Sequence, residues 1–146
     1  MEGGYNVAAI VKNETAEYHR YLRREEVRVQ CCAQCGYLRY PQRFVCPECL
    51  SEESDWKPLS GRGKVETFIW YFKNILDTRY TKDWSYQDAP YNVAVVRLEE
   101  GPRLITNIEE TGFGKLKAGQ AVEAVFVPIS EEYAILRFKP ISPAKT

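Results

Sequence analysis

The chain is poor in several things that would have pointed to catalysis, nucleic acid or membrane. Of its 146 residues only one, His19, is histidine. A cysteine nucleophile paired with a histidine base needs both groups in one pocket. A single histidine on a helical segment near the N-terminus argues against an independent acyl-transfer site. Net charge is also missing, since 20 Lys and Arg balance 20 Asp and Glu. Proteins that grip phosphate backbones usually carry a basic excess that releases counterions, so nucleic acid is a disfavoured partner. No apolar run approaches the length that spans a bilayer, which gives no membrane call. The opening Met1-Glu2-Gly3-Gly4-Tyr5 has neither the basic stretch nor the apolar core of a secretory signal. The expectation is a cytoplasmic chain with reduced thiols.

What is present is concentrated in five cysteines and many aromatics. Cys32, Cys35, Cys46 and Cys49 form two Cys-x-x-Cys pairs separated by ten residues. Each pair can offer two thiolates to one tetrahedral ion, and two pairs make a closed site with no position left for water or substrate. Such a site is structural. In a reducing compartment paired cysteines bind metal more often than they form disulfides, and a redox dithiol would account for one pair, not two. Zinc is the expected ion, with iron the rival for four thiolates. Gly36 follows the first pair, where a tight turn favours a residue without a Cβ. Pro47 restricts φ inside the second. Leu50 stands where a second turn glycine is expected, which weakens that turn without removing a ligand. Cys31 is left over and reads as a buried bystander.

Three regions follow from the pattern: a helical segment over 1–29, a zinc ribbon over 30–58 and a barrel over 59–146. From Glu14 to Val29, residues Tyr18, Tyr21, Leu22, Glu25 and Val29 keep three-to-four spacing on one helical face. That stripe either packs on its own domain or docks on a partner, and Tyr18, Tyr21 and Leu22 are its candidate docking residues. Asn13 or Thr15 is the candidate cap. After Gly61-Arg62-Gly63-Lys64 the pattern turns to strand at Val65–Phe72, Val93–Leu98, Arg103–Ile108, Ala121–Val127 and Tyr133–Phe138. Five strands with turns between them predict a mainly β chain ending in a small closed barrel of the OB type. The two glycines lack the flanking strand and helix of a nucleotide-binding loop and read as a bend at a barrel corner. The longest irregular stretch, Lys73 to Pro90, carries Arg79, Tyr80, Lys82, Trp84 and Tyr86. It reads as an ordered binding loop because disordered segments are poor in aromatics.

Taken together, Gln30-Cys31-Cys32-Ala33-Gln34-Cys35-Gly36, Arg39-Tyr40-Pro41-Gln42-Arg43, Cys46-Pro47-Glu48-Cys49, Ser60-Gly61-Arg62-Gly63-Lys64-Val65 and Ala89-Pro90-Tyr91-Asn92-Val93-Ala94-Val95-Val96-Arg97-Leu98 form a specific set. With these motifs the chain resembles the thiolase-associated zinc-ribbon/OB-fold proteins, a family that includes small subunits of benzylsuccinate-type thiolases. The likeness runs from about Tyr18 to the closing Arg137-Phe138-Lys139-Pro140; Leu50 and the doubled Cys31-Cys32 depart from it. The resemblance implies an N-terminal helix, a rubredoxin-like ribbon and an OB-fold barrel. It also implies a non-catalytic subunit in a hetero-oligomer with a thiolase-like enzyme acting on an acyl-CoA, in a pathway such as aromatic degradation. Such a subunit supports its partner's assembly and can hold the coenzyme A portion of the thioester. Arg79 and Lys82 are then candidates for coenzyme phosphates, with solvated loop charges as the plainer reading. The competing reading is a single-stranded nucleic-acid module, since OB barrels and aromatics serve that use as well.

Overall fold

The computed structural model describes residues 11–71 and 90–142. The loop residues Arg79, Tyr80, Lys82, Trp84 and Tyr86 lie outside that range. A short 3-10 turn, Asn13–Thr15, leads into helix α1 (Ala16–Arg23), and Thr15 Oγ1 accepts the Lys12 N–H at 3.1 Å to close the entry. Glu17 sits in the first turn, Arg20 and Arg23 in the last, the arrangement that suits the helix dipole.

The helix is shorter than the spacing predicts, and the reason is its exit. Glu25 takes φ 61, its N–H bonds Leu22 O at 2.9 Å and the Glu26 N–H bonds Tyr21 O at 3.0 Å. These two bonds form a Schellman ending with glutamate in the position usually given to glycine. Val27 and Val29 then alternate inward along an extended chain. The helical spacing of Val29 from Leu22 is a coincidence, because β-branched residues two apart equally describe one face of a strand.

The ribbon sheet has the order β2-β1-β3, with β1 (Arg28–Cys32), β2 (Leu38–Arg39) and β3 (Ser54–Pro58) all antiparallel. Gln30 pairs with Arg39 on one side and Trp56 on the other. The second sheet runs β6-β5-β4-β7-β8. Its strands are β4 (Arg62–Tyr71), β5 (Tyr91–Leu98), β6 (Arg103–Thr106), β7 (Ala121–Pro128) and β8 (Ala134–Pro140). A bulge between Val65 and Thr67 shifts the β4–β5 register. It turns Glu66 outward to accept from Arg97 at 2.6 Å and Arg103 at 3.1 Å, and such an extra residue bends and twists the strand. The sheet curls until its edges meet at a parallel bridge, Ile108 to Phe138. Glu109 N–H donates to Phe138 O at 2.7 Å there. Asn92 reinforces the seam from inside: its Nδ2 donates to Ile108 O at 2.9 Å and its Oδ1 accepts the Ile108 N–H at 2.7 Å. This is the OB-type β architecture expected from the five strand signals.

Val65, Ala94, Val96, Leu98, Leu104, Val122 and Phe138 fill the barrel, and Leu22 and Val27 join the same core from outside the sheet. Helix α1 therefore has a structural job. Leu22 is 0% exposed, Tyr18 packs on Tyr40 of the ribbon with ring centres 5.7 Å apart, and Tyr21 meets Trp56 at 5.4 Å. Burial, then the neighbouring Tyr40 hydroxyl, holds Tyr18 well above the usual tyrosine pKa. Tyr18 and Leu22 thus pack the helix onto the chain's own ribbon and barrel, the first of the two uses open to the stripe. His19 is half-buried, with Nδ1 2.8 Å from Ala134 O, so it ties α1 to β8.

Candidate metal centre

Two turns of the ribbon face each other, one after β1 and one before β3. In the first, Gly36 N–H donates to Cys32 O at 3.0 Å; in the second, Leu50 N–H donates to Cys46 O at 2.9 Å. Gly36 has φ 75 and Leu50 φ 63, so the two knuckles share one backbone form despite different residues. The left-handed region costs a non-glycine residue about 1–2 kcal/mol, and leucine meets that cost here.

The knuckles aim amides at sulfur. The backbone of Cys35, then that of Gln34, hydrogen-bonds the Cys32 sulfur and pulls its pKa down to about 5. At Cys46 burial opposes ionisation, but the amides of Cys49 and Glu48 win and the pKa falls. The first cysteine of each turn is thus drawn toward the thiolate, the form that binds metal, while burial and the neighbouring sulfurs push the Cys35 pKa up to about 12 and raise that of Cys49.

Four sulfurs converge, those of Cys32, Cys35, Cys46 and Cys49, all within 4.8 Å of one another. Cys32 and Cys49 stand 3.5 Å apart, as do Cys35 and Cys46. Zinc bound by four sulfurs at about 2.3 Å sets them about 3.8 Å apart on the edges of a tetrahedron. The donor set and the spacing both fit structural zinc, which these four residues would hold with no open position. Cys32 and Cys46 are buried, while Cys35 and Cys49 face outward. Cys31 does not join them. Its thiol points toward Gly36 O at 3.6 Å, and it is half-buried, not the buried bystander expected.

Arg39 shows in the sequence only as part of the Arg39-Tyr40-Pro41-Gln42-Arg43 motif. It is 1% exposed and lies against this site. An arginine on a two-residue strand between ligand pairs was the available signal, but its burial depends on contacts with residues up to fourteen positions away.

A family model described as "ChsH2, rubredoxin-like zinc ribbon domain" matches residues 20–55, and one described as "ChsH2, C-terminal OB-fold domain" matches residues 56–127. A relative from Methanocaldococcus jannaschii, named a DUF35 domain-containing scaffold protein, is 36% identical over 69% of this chain and 67% of its own length. The chain belongs to the thiolase-associated DUF35 family. A Thauera aromatica relative, named benzoylsuccinyl-CoA thiolase subunit BbsA, is 34% identical over 48% of this chain and 49% of its own length. Among solved structures, a chain titled Ltp2-ChsH2(DUF35) aldolase superposes with a TM-score of 0.71 at 26% identity, over 89% of this chain and 96% of that one. The DUF35 chain is thus similar to proteins named as scaffolds and as subunits. Among the described residues, no helix is long and apolar enough to cross a membrane.

Proposed function

We propose that this DUF35 protein is the non-catalytic, zinc-binding accessory subunit of a thiolase-type acyl-CoA enzyme complex, where it supports the partner's assembly and activity. The observation that carries the reading is the paired architecture: a closed four-thiolate ribbon joined to an OB-fold barrel, shared over 89% of the chain with a DUF35 chain titled as part of an aldolase. A closed zinc site stabilises and does not activate water, so the metal serves the shape of the surface presented to a partner. In this reading the segment carrying Arg79, Tyr80, Lys82, Trp84 and Tyr86 contacts the partner or the coenzyme A portion of its thioester. Tyr21, at the helix–ribbon margin beside Trp56, is a further candidate contact.

The test is affinity purification of the tagged chain from its native lysate, with bound proteins identified by mass spectrometry. A stoichiometric thiolase-type enzyme that loses activity when the chain is removed supports the proposal. Recovery of nucleic acid in its place moves the barrel to single-stranded nucleic-acid binding. Trp84→Ala is expected to weaken partner or ligand binding while leaving the melting temperature unchanged; a large fall in melting temperature places Trp84 in the core.

A further inference from the structure

Arg39 is the charged side chain most deeply buried among the described residues, at 1% exposure. An isolated buried guanidinium costs several kcal/mol, so its partners have to explain it. Nη1 donates to Arg43 O at 3.2 Å, and Nη2 donates to Ser51 O at 3.1 Å and Glu53 O at 3.2 Å. No carboxylate is among its partners in the described residues, and Nε has no hydrogen-bond partner.

The three carbonyls are not scattered. Arg43 O precedes the second knuckle, and Ser51 O and Glu53 O follow it. Ser51 O also accepts the N–H of the ligand Cys46 at 2.9 Å. Arg39 itself stands on β2, four residues beyond Cys35, where it pairs with Gln30 of β1. One planar fork thus reaches from the strand leaving the first knuckle to both sides of the second. A zinc ion with four thiolates carries a net charge of about −2, and Arg39 brings a fixed positive charge onto the same carbonyl, Ser51 O, that accepts the N–H of the buried ligand Cys46.

We propose that Arg39 is a positioning residue of the zinc site, whose fork sets the second knuckle against the first and whose charge offsets the buried thiolates. Lysine cannot replace it, because one ammonium on a flexible stem cannot hold three carbonyls on two sides of a loop in a fixed plane. Residues that orient metal ligands from outside the coordination sphere typically change affinity by about 10–100-fold when lost.

The experiment uses the full-length chain, as wild type, R39K and R39M, with zinc affinity measured against a chelator of known strength. Cobalt replaces zinc in parallel, and its thiolate charge-transfer and ligand-field bands report the geometry of the four sulfurs. Both variants are expected to bind zinc about 10–100-fold more weakly, with R39K no better than partly restored and with altered cobalt bands. A general loss of stability would lower the melting temperature without changing those bands. Wild-type affinity and wild-type bands in R39K or R39M overturn the proposal, and R39K alone decides if R39M does not fold. A wild-type chain that binds no zinc refutes the zinc reading itself, which separates the two failures.

Discussion

Gly63→Ala is expected to be among the most damaging single-methyl additions in this chain. Gly63 lies on β4 between Leu98 of β5 and Val122 of β7, so it has a strand on both sides. It needs no left-handed backbone; the difficulty is space. A Cβ there would meet the Arg97 carbonyl carbon and Val96 Cγ1 at 3.0 Å, with the carbonyl oxygen nearer still. Those obstacles belong largely to the β5 backbone, which cannot swing aside as a long side chain would. Overpacking costs about 1–3 kcal/mol, and prying β4 from β5 puts this case at the upper end. For a chain of this size a loss of about 3 kcal/mol lowers the melting temperature by about 6–12 °C. Gly36→Ala is the control, since Gly36 has φ 75 and open space around its Cβ position. Its left-handed cost of about 1–2 kcal/mol is partly offset by about 0.4–1 kcal/mol from a less flexible unfolded chain. The control effect should appear as weaker zinc retention, with the barrel melting near wild type. Thermal melts of zinc-saturated protein, followed by far-ultraviolet circular dichroism and tryptophan fluorescence, read both. A Gly63→Ala protein melting within about 2 °C of wild type would refute the close-approach argument.

The other perturbations test separate parts of the fold. Leu22→Ala should cost about 2–5 kcal/mol because Leu22 is 0% exposed in the shared core; urea unfolding measures it, and a loss under 1 kcal/mol, below that expected range, would mean that α1 is not packed there. Asn92→Leu leaves the Ile108 N–H and C=O without their partner and should cost about 2–6 kcal/mol, since each buried unpaired group costs about 1–3 kcal/mol; an unchanged unfolding midpoint would contradict the seam. Cys35→Ser or Cys49→Ser should abolish stoichiometric zinc and complex formation, as metal analysis and co-purification would report, because the closed site loses a ligand. Leu50→Gly should raise ribbon stability slightly, by about 0.5–1 kcal/mol after the strain relieved is set against unfolded-state entropy; slower metal loss to a chelator is the readout.

The parts of this fold written in short-range pattern were legible. Alternating β-branched residues announced the five barrel strands within a few positions of their ends, and the cysteine spacing named four sulfurs that do meet. Long-range contacts hid the rest. The seam between Ile108 and Phe138 joins residues thirty positions apart, and no local signal marks it. Strand β3 was missed because Ser54-Asp55-Trp56-Lys57-Pro58 has one large apolar side chain and no alternation; its pairing with β1 makes it a strand. The helix was overextended because nothing in Glu25 announces a left-handed residue where glycine is the usual choice. The inward turn of Tyr18 and Leu22 depended on a ribbon and a barrel lying on two sides of one helix.

That placement bears on what the zinc can do. Helix α1 touches Tyr40 and Trp56 in the ribbon and Ala134 in the barrel, while Leu59 N–H donates to Val27 O at 2.8 Å across the same junction. A ribbon that loses its metal loses the local structure holding Tyr40 and Trp56, and with it one side of the helix's packing. Zinc occupancy should therefore influence the barrel's stability, although no ligand comes from the barrel. The outer ribbon surface points the same way. Phe44 is 86% exposed and Leu50 76% exposed, and Leu50 also sits in a backbone form that glycine would adopt more cheaply. Neither placement helps this chain fold. An accessory subunit, in contrast, has reason to keep large apolar side chains outward on a metal-braced ribbon, because a rigid surface loses less entropy on docking.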